Sequence, residues 1–147
     1  IEEWFIEKPS SYSDNKYTTN SSYRWIKEVN LENLKQKHDL DKITKVFVSK
    51  RTKTGTVNEV IIRTLNNEII IDNYSIRRGL GGLKSNKFII KNIYRDNELK
   101  EIIIFGAGWG HSVGMDQTAA AGMASEGMTY DRIINYFYPN TEIELLK

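Results

Sequence analysis

The sequence predicts an α+β fold: antiparallel strands and hairpins with short helices, and two helices at the C-terminal end. Three observations carry this prediction. β-Branched and apolar runs broken by turn residues recur from Ile43 to Asp72 and again from Lys87 to Phe105. Helix-compatible segments follow them. Between the two regimes, Phe105 to Gln117 packs four glycines, one tryptophan and one of the chain's two histidines into thirteen residues, a mixture that ordinary core does not need.

Taken in order, residues 1–6 (Ile-Glu-Glu-Trp-Phe-Ile) form an amphipathic opening, expected to be the remainder of an element that starts upstream. Turn-rich sequence follows through Thr18-Thr-Asn-Ser-Ser. Trp25 to Val29 reads as a strand. Leu31 to Lys37 reads as a short helix with Asn30 as N-cap, and His38 near its end suits the negative C-terminal pole. Ile43–Arg51, Val57–Leu65 and Glu68–Asp72 form an antiparallel meander, turning at Lys53-Thr-Gly-Thr and at Asn66-Asn67. Asp72 to Leu80 is expected to be a short helix ending in glycines. Lys87–Tyr94 and Glu98–Phe105 then make a second hairpin across Arg95-Asp-Asn.

Gly106 to Gly114 is predicted to be a loop joining that last strand to a small-residue helix, Thr118 to Glu126, closed by Gly127. Thr129 is the expected N-cap of Tyr130 to Tyr138, with Asp131 in its positive first turn and Pro139 as its stop. Ile133, Tyr136 and Phe137 fall at helical spacing and are assigned to the core. Ala119 to Ala121 with Gly122 implies close helix packing beneath the site.

At 147 residues the chain is long enough for one domain with a sizeable core. Its 39% hydrophobic and 27% charged residues are those of a globular protein, and no apolar run reaches the length of a membrane span. With no cysteine and only two histidines, disulfides, thiolate chemistry and a histidine-rich metal site are not expected. A net charge of +2 gives no reason to invoke nucleic acid. The charge is nevertheless uneven. Residues 26–53 carry eight Lys/Arg against four Asp/Glu and residues 77–100 seven against two, whereas residues 101–147 carry two against six. A basic face of this kind is compatible with an anionic polymer and equally with simple solvation.

The glycine-rich loop is open to three assignments. Strand, glycine loop and helix is how nucleotide sites begin, but neither G-x-G-x-x-G nor G-x-x-x-x-G-K-[ST] is present. A structural loop with Trp109 capping the core is the plainest alternative. A ligand-facing loop is the third, with Trp109 offering a flat apolar face and His111 a hydrogen-bonding ring.

Gly108-Trp-Gly-His-Ser-Val-Gly-Met-Asp-Gln117, followed by Thr118-Ala-Ala-Ala-Gly-Met-Ala124, resembles the signature of the stage II sporulation protein D family, also called the amidase-enhancer family. That signature runs Gly-Trp-Gly-His-Gly-Val-Gly-Met-Ser-Gln, so this chain departs from it at Ser112 and Asp116. Tyr23-Arg-Trp25 resembles the family's Tyr-Arg-Trp segment, and Tyr136-Phe-Tyr-Pro-Asn-Thr141 its closing segment.

The resemblance implies a single domain over 1–147, N-terminally incomplete relative to the family. It further implies a peptidoglycan lytic transglycosylase that cuts between N-acetylmuramic acid and N-acetylglucosamine in strands stripped of peptide. One carboxylic acid suffices for such chemistry, because it protonates the leaving oxygen and the sugar's own C6 hydroxyl then closes an anhydro ring. The family's acid maps upstream of Ile1. Within the chain, Glu28, Asp116 and Glu126 are the acids nearest the matched segments. Substrate-binding residues implied are Tyr23, Arg24, Trp25, Trp109, His111, Met115, Asp116 and Gln117, with Tyr23 to Trp25 on the wall facing Trp109. Asp116 beside His111 would favour the charged imidazole. No metal or cofactor is implied. Glycan strands are the implied partner, together with other sporulation or cell-wall hydrolase proteins. The implied location is extracytoplasmic, at the cell wall or between forespore and mother cell, through a signal or anchor outside this stretch. The alternative is a non-catalytic module that binds peptidoglycan or a partner and stimulates another hydrolase.

Overall fold

The computed structural model describes residue 7 and residues 10–144; the amphipathic opening read over residues 1–6 lies outside the described residues. The order of elements is α1 (Asn20–Tyr23), β1 (Arg24–Val29), α2 (Leu31–His38), β2 (Ile43–Arg51), β3 (Val57–Thr64), β4 (Glu68–Asp72), α3 (Ser75–Gly79), β5 (Phe88–Arg95), β6 (Glu98–Ala107), α4 (Gln117–Ser125) and α5 (Tyr130–Phe137). This is the α+β architecture expected.

Two antiparallel three-stranded sheets form the body, one ordered β1-β6-β5 and the other β2-β3-β4. Alternation sets their faces: Ile102 and Ile104 of β6 are buried while Ile103 and Phe105 stay half-exposed on the other side. Trp25, Val29, Val46, Val60, Ile62, Phe88, Ile102 and Ile104 share one core, closed by Ile76 and Leu80 from α3 and the residue after it. Asn92 stitches β5 to β2, its side-chain amide accepting from Val46 N at 2.9 Å and donating to Val46 O at 2.8 Å, as a neighbouring backbone would. Arg51 ties β2 to the same strand through Phe88 O at 2.8 Å, and burial lowers its pKa from the ordinary value.

Asn30 caps α2 as predicted, its side chain accepting from Asn33 N. At the other end of that helix, His38 Nε2 meets Gly79 O at 2.9 Å, so this ring joins α2 to α3. Four expectations need correction. The helix expected over Asp72–Leu80 is shorter, since Asp72 still pairs with Glu59 and helical geometry begins at Ser75. Strand β6 runs on through Gly106 and Ala107, because both residues find partners in β1, Trp25 and Arg24. Thr129 occupies the N-cap of α5 but its side chain accepts no cap bond from the backbone; its hydroxyl engages Asp131 instead. Tyr136 is exposed rather than core and meets Tyr12 edge-on at 6.2 Å, while Ile133 is the buried residue of that stripe.

Candidate functional site

The glycine-rich loop hangs between the end of β6 and the start of α4, and backbone bonds clamp its first half on two sides. Gly108 N donates to Tyr23 O at 3.3 Å, and Gly110 N donates to Lys84 O at 2.9 Å. Ala107 N reaches Lys87 O at 2.9 Å, and the buried Ser85 hydroxyl donates to Ala107 O at 2.6 Å. The loop is therefore built as a continuation of the sheet, not as a free excursion from it.

Trp25 supports it from below. The indole is 7% exposed and donates its N–H to Gly108 O at 3.0 Å. Its ring occupies the space where a side chain on residue 106 would stand, since a Cβ there would lie 2.1 Å from Trp25 Cζ2. Gly106 is a glycine for that close approach. It does not take positive φ, in contrast to Gly108, Gly110 and Gly114. Ser112 adopts φ of 63°, a left-handed conformation that a side chain tolerates poorly, at the position where the resembled signature has glycine.

On top of this platform Trp109 stands 69% exposed, with the Lys84 ammonium 5.4 Å from its ring centroid. The Lys84 Nζ is itself held by Ser21 O at 2.7 Å, so the cation has a fixed place beside the indole. The structure thus turns the ring outward instead of capping the core with it.

His111 is exposed, and its Nδ1 accepts from Val113 N at 3.1 Å. An accepting Nδ1 leaves the ring proton on Nε2, so the free edge of the imidazole is a hydrogen-bond donor. Met115, 41% exposed, has its N–H on the Tyr138 hydroxyl at 3.1 Å. Val113, 74% exposed, adds a second apolar side chain to the surface of the loop.

Asp116 is the N-cap of α4 rather than a partner for His111. One carboxylate oxygen accepts from Thr118 N at 2.9 Å, Ala119 N at 3.1 Å and the Thr118 hydroxyl at 2.7 Å; the other accepts from the Ser13 hydroxyl at 2.7 Å. Burial works against ionisation here, but these hydrogen bonds outweigh it and hold the carboxyl below the usual aspartate range. Gln117 is exposed in the first turn of the same helix. Gly122 sits against the N-terminal segment, where a Cβ would meet Tyr12 O at 2.2 Å, and Asn15 Nδ2 donates to Thr118 O at 2.9 Å. The small residues do pack closely, but Gly122 faces a turn and not the helix expected. Its partner is the turn at residues 12–15.

Tyr23 and Trp25, expected on a wall facing Trp109, are both buried: Tyr23 at the end of α1 takes Gly108 N on its carbonyl, and β1 carries Trp25 underneath the loop. Arg24 is half-buried, stacked 4.4 Å over the Tyr23 ring and donating to Tyr23 O at 3.0 Å. The structure thus leaves Trp109, His111 and Met115 each exposed on the same loop and sets Tyr23, Arg24 and Trp25 as the support. Lys84, Ser85 and Tyr138 complete the assembly and were not singled out from sequence. Only topology brings them to the loop.

None of the acids near the matched segments stands free beside His111. Asp116 is committed to capping. Glu126 follows the last residue of α4, roughly 13 Å along the nine-residue helix from its start. Glu28 pairs with Ile103, about 13 Å down the sheet from the departure of the loop at Ala107. Glu28 instead borders a groove of about 790 Å3 between α2, β1 and the start of β6. Lys42 and Lys100 both bond Glu98 on the rim of that groove, and together they hold its carboxyl down to about 2. Its charges are thus largely paired, and none of the resembled signature residues lines it.

Fold and loop together define an α+β protein that displays an aromatic ring and an imidazole edge on a glycine-rich strand-to-helix loop. The chain belongs to the family described as Domain of unknown function (DUF8618), whose model matches residues 4–114. It is also similar to Stage II sporulation protein D of Bacillus subtilis (strain 168), with 48% identity over 42 residues. That match covers 29% of this chain and 12% of the length of the relative.

Proposed function

We propose that this chain is the glycan-engaging part of a cell-wall protein of the stage II sporulation D type, acting outside the cytoplasm on peptidoglycan strands. The observation that carries this is Trp109: a ring held two-thirds exposed by a dedicated platform of Trp25, Gly106 and Lys84. A protein gains no stability by displaying such a ring, whereas a pyranose stacks on one. In this reading Trp109 stacks on a sugar, while the His111 Nε2–H and the Gln117 amide bond its hydroxyl or acetamido groups.

The reaction proposed for the whole protein is lytic cleavage between N-acetylmuramic acid and N-acetylglucosamine in strands stripped of peptide. General acid catalysis needs a carboxyl within hydrogen-bond reach of the leaving oxygen. Asp116, Glu126 and Glu28 do not meet that requirement at the loop, so the acid is assigned to another part of the protein. The same observation favours a second reading, a module that binds glycan without cutting it and stimulates another wall hydrolase.

Incubation with denuded glycan strands, followed by pull-down and mass analysis, tests both. Binding that depends on Trp109 is expected, and absence of binding overturns the proposal. Anhydro-muramyl ends produced by the full-length protein select the first reading over the second.

A further inference from the structure

We propose that Lys84 is the residue that reads charge at the aromatic loop, pairing with the free lactyl carboxylate of a muramyl residue held at Trp109. The inference rests on the glycan reading above and adds which sugar the loop prefers, and through which side chain.

Backbone and side chain both fix this lysine against the loop. Its carbonyl accepts from Gly110 N at 2.9 Å, and the next residue, Ser85, forms a parallel bridge with Gly110, so the chain at 84–85 runs alongside the loop. Its ammonium lies over the Trp109 ring, 5.4 Å from the centroid, and donates to Ser21 O at 2.7 Å. A surface lysine ordinarily gives up rotamer freedom when it binds a ligand. This one is already ordered, and only one of its three donors is engaged by Ser21. A sugar laid against the indole therefore comes within reach of a fixed cation.

What that cation lacks is a counter-ion. Among the described residues Lys84 enters no ion pair, whereas Lys42 and Lys100 share Glu98 and Lys50 pairs with Glu59. The three segments that meet around it, residues 18–23, 73–95 and 102–115, contain no Asp or Glu. Asp116, the first acid after the loop, is turned into the cap of α4 and onto Ser13. Positive charge also continues away from the ring: Arg77 Nε is held on Leu83 O at 2.9 Å, and Lys27 Cε passes 3.5 Å from where a Cβ on Gly81 would stand. An ammonium kept in place beside a stacking ring, with no acid of its own, fits a sugar that brings a carboxylate. N-Acetylmuramic acid brings one on its lactyl ether. N-Acetylglucosamine does not, and in a strand that still bears peptide the lactyl carboxyl is an uncharged amide.

Titration calorimetry with three soluble tetrasaccharides tests this: alternating N-acetylglucosamine and N-acetylmuramic acid with free carboxyls, the same sugar with its carboxyls converted to methylamides, and an N-acetylglucosamine tetramer. At low salt the free acid is expected to bind about three- to tenfold more tightly than either neutral sugar, with the margin shrinking as salt is raised. Lys84→Gln should remove that margin and leave affinity for the two neutral sugars unchanged, which also shows that the variant keeps the loop folded. A margin that survives Lys84→Gln overturns the proposal. So does an equal loss for all three sugars, which would make Lys84 a prop for Trp109 alone. Binding of all three without preference overturns this inference and leaves the glycan reading standing, whereas failure of all three to bind the natural chain overturns both.

Discussion

The Trp25 indole lies so close over Gly106 that a Cβ at position 106 would stand 2.1 Å from its Cζ2, and the same ring bonds Gly108 O two residues further on. One buried side chain thus fixes both where β6 ends and where the loop begins. Gly106→Ala is expected to destabilise by at least the roughly 1–3 kcal/mol typical of overpacking, since the obstacle is a rigid ring. Trp25→Phe removes the N–H and leaves Gly108 O without that donor, at a cost of about 1–3 kcal/mol. Denaturant melts measure both.

Trp109→Ala is expected to behave in the opposite way. At 69% exposure the ring adds little to the fold, so the change in stability should stay within about 0.5 kcal/mol. Retention on insoluble peptidoglycan or on N-acetylglucosamine oligomers should fall severalfold, as removal of a stacking ring worth about 0.5–1.5 kcal/mol implies. A large drop in Tm with unchanged retention would assign the ring to the core instead.

Asp116→Ala should cost about 0.5–2 kcal/mol as a lost N-cap, and Asp116→Ser should recover part of it. The pH dependence has a definite sign. Hydrogen bonds hold the folded-state pKa below its ordinary 3.8, so the contribution of the ionised carboxylate is present above that value and is lost as pH falls through the folded one. The Tm gap between the natural chain and Asp116→Asn should therefore narrow as pH is taken below 3.8. A constant gap would remove the carboxylate charge from the cap.

How much of this was legible beforehand varies with the range of the interaction. Period-two alternation located the strands to within a residue or two, and Asn30 announced the helix that follows it, because both signals are local. Gly106 was read as the first residue of the loop. It proved to be a strand residue hollowed out for Trp25, which lies 81 positions away in the chain (106 − 25) and shares no local signature with it. Asp116 was read through His111, its neighbour in sequence, whereas a residue just before a helix is most simply its N-cap. Ser13, Lys84, Ser85 and Tyr138 came into view only once the fold had folded them onto the loop.

Cleavage is expected to be absent from this chain even where binding is present. His111 presents an Nε2–H donor, a group that orients a sugar hydroxyl and supplies no carboxylic acid. His111→Ala should therefore weaken retention on glycan without changing the background of anhydro-muramyl ends. Mass analysis of products from the 147-residue chain checks this, and anhydro ends abolished by His111→Ala or Glu126→Gln would bring the acid back inside it.

The seat of Gly122 on the Tyr12 carbonyl bears on where this protein can be cut. The family match stops at residue 114, between the aromatic loop and the helix that anchors its far end. A fragment trimmed there would retain Trp109 but lose the Asp116 cap, its bond to Ser13 and the Tyr138 hydroxyl that holds Met115 N. One trimmed at residue 24, to begin with the first strand, would strip the turn at 12–15 from the same helix. The smallest unit that keeps the loop in shape extends past both of these cuts, and a boundary inferred from sequence similarity alone would sever it.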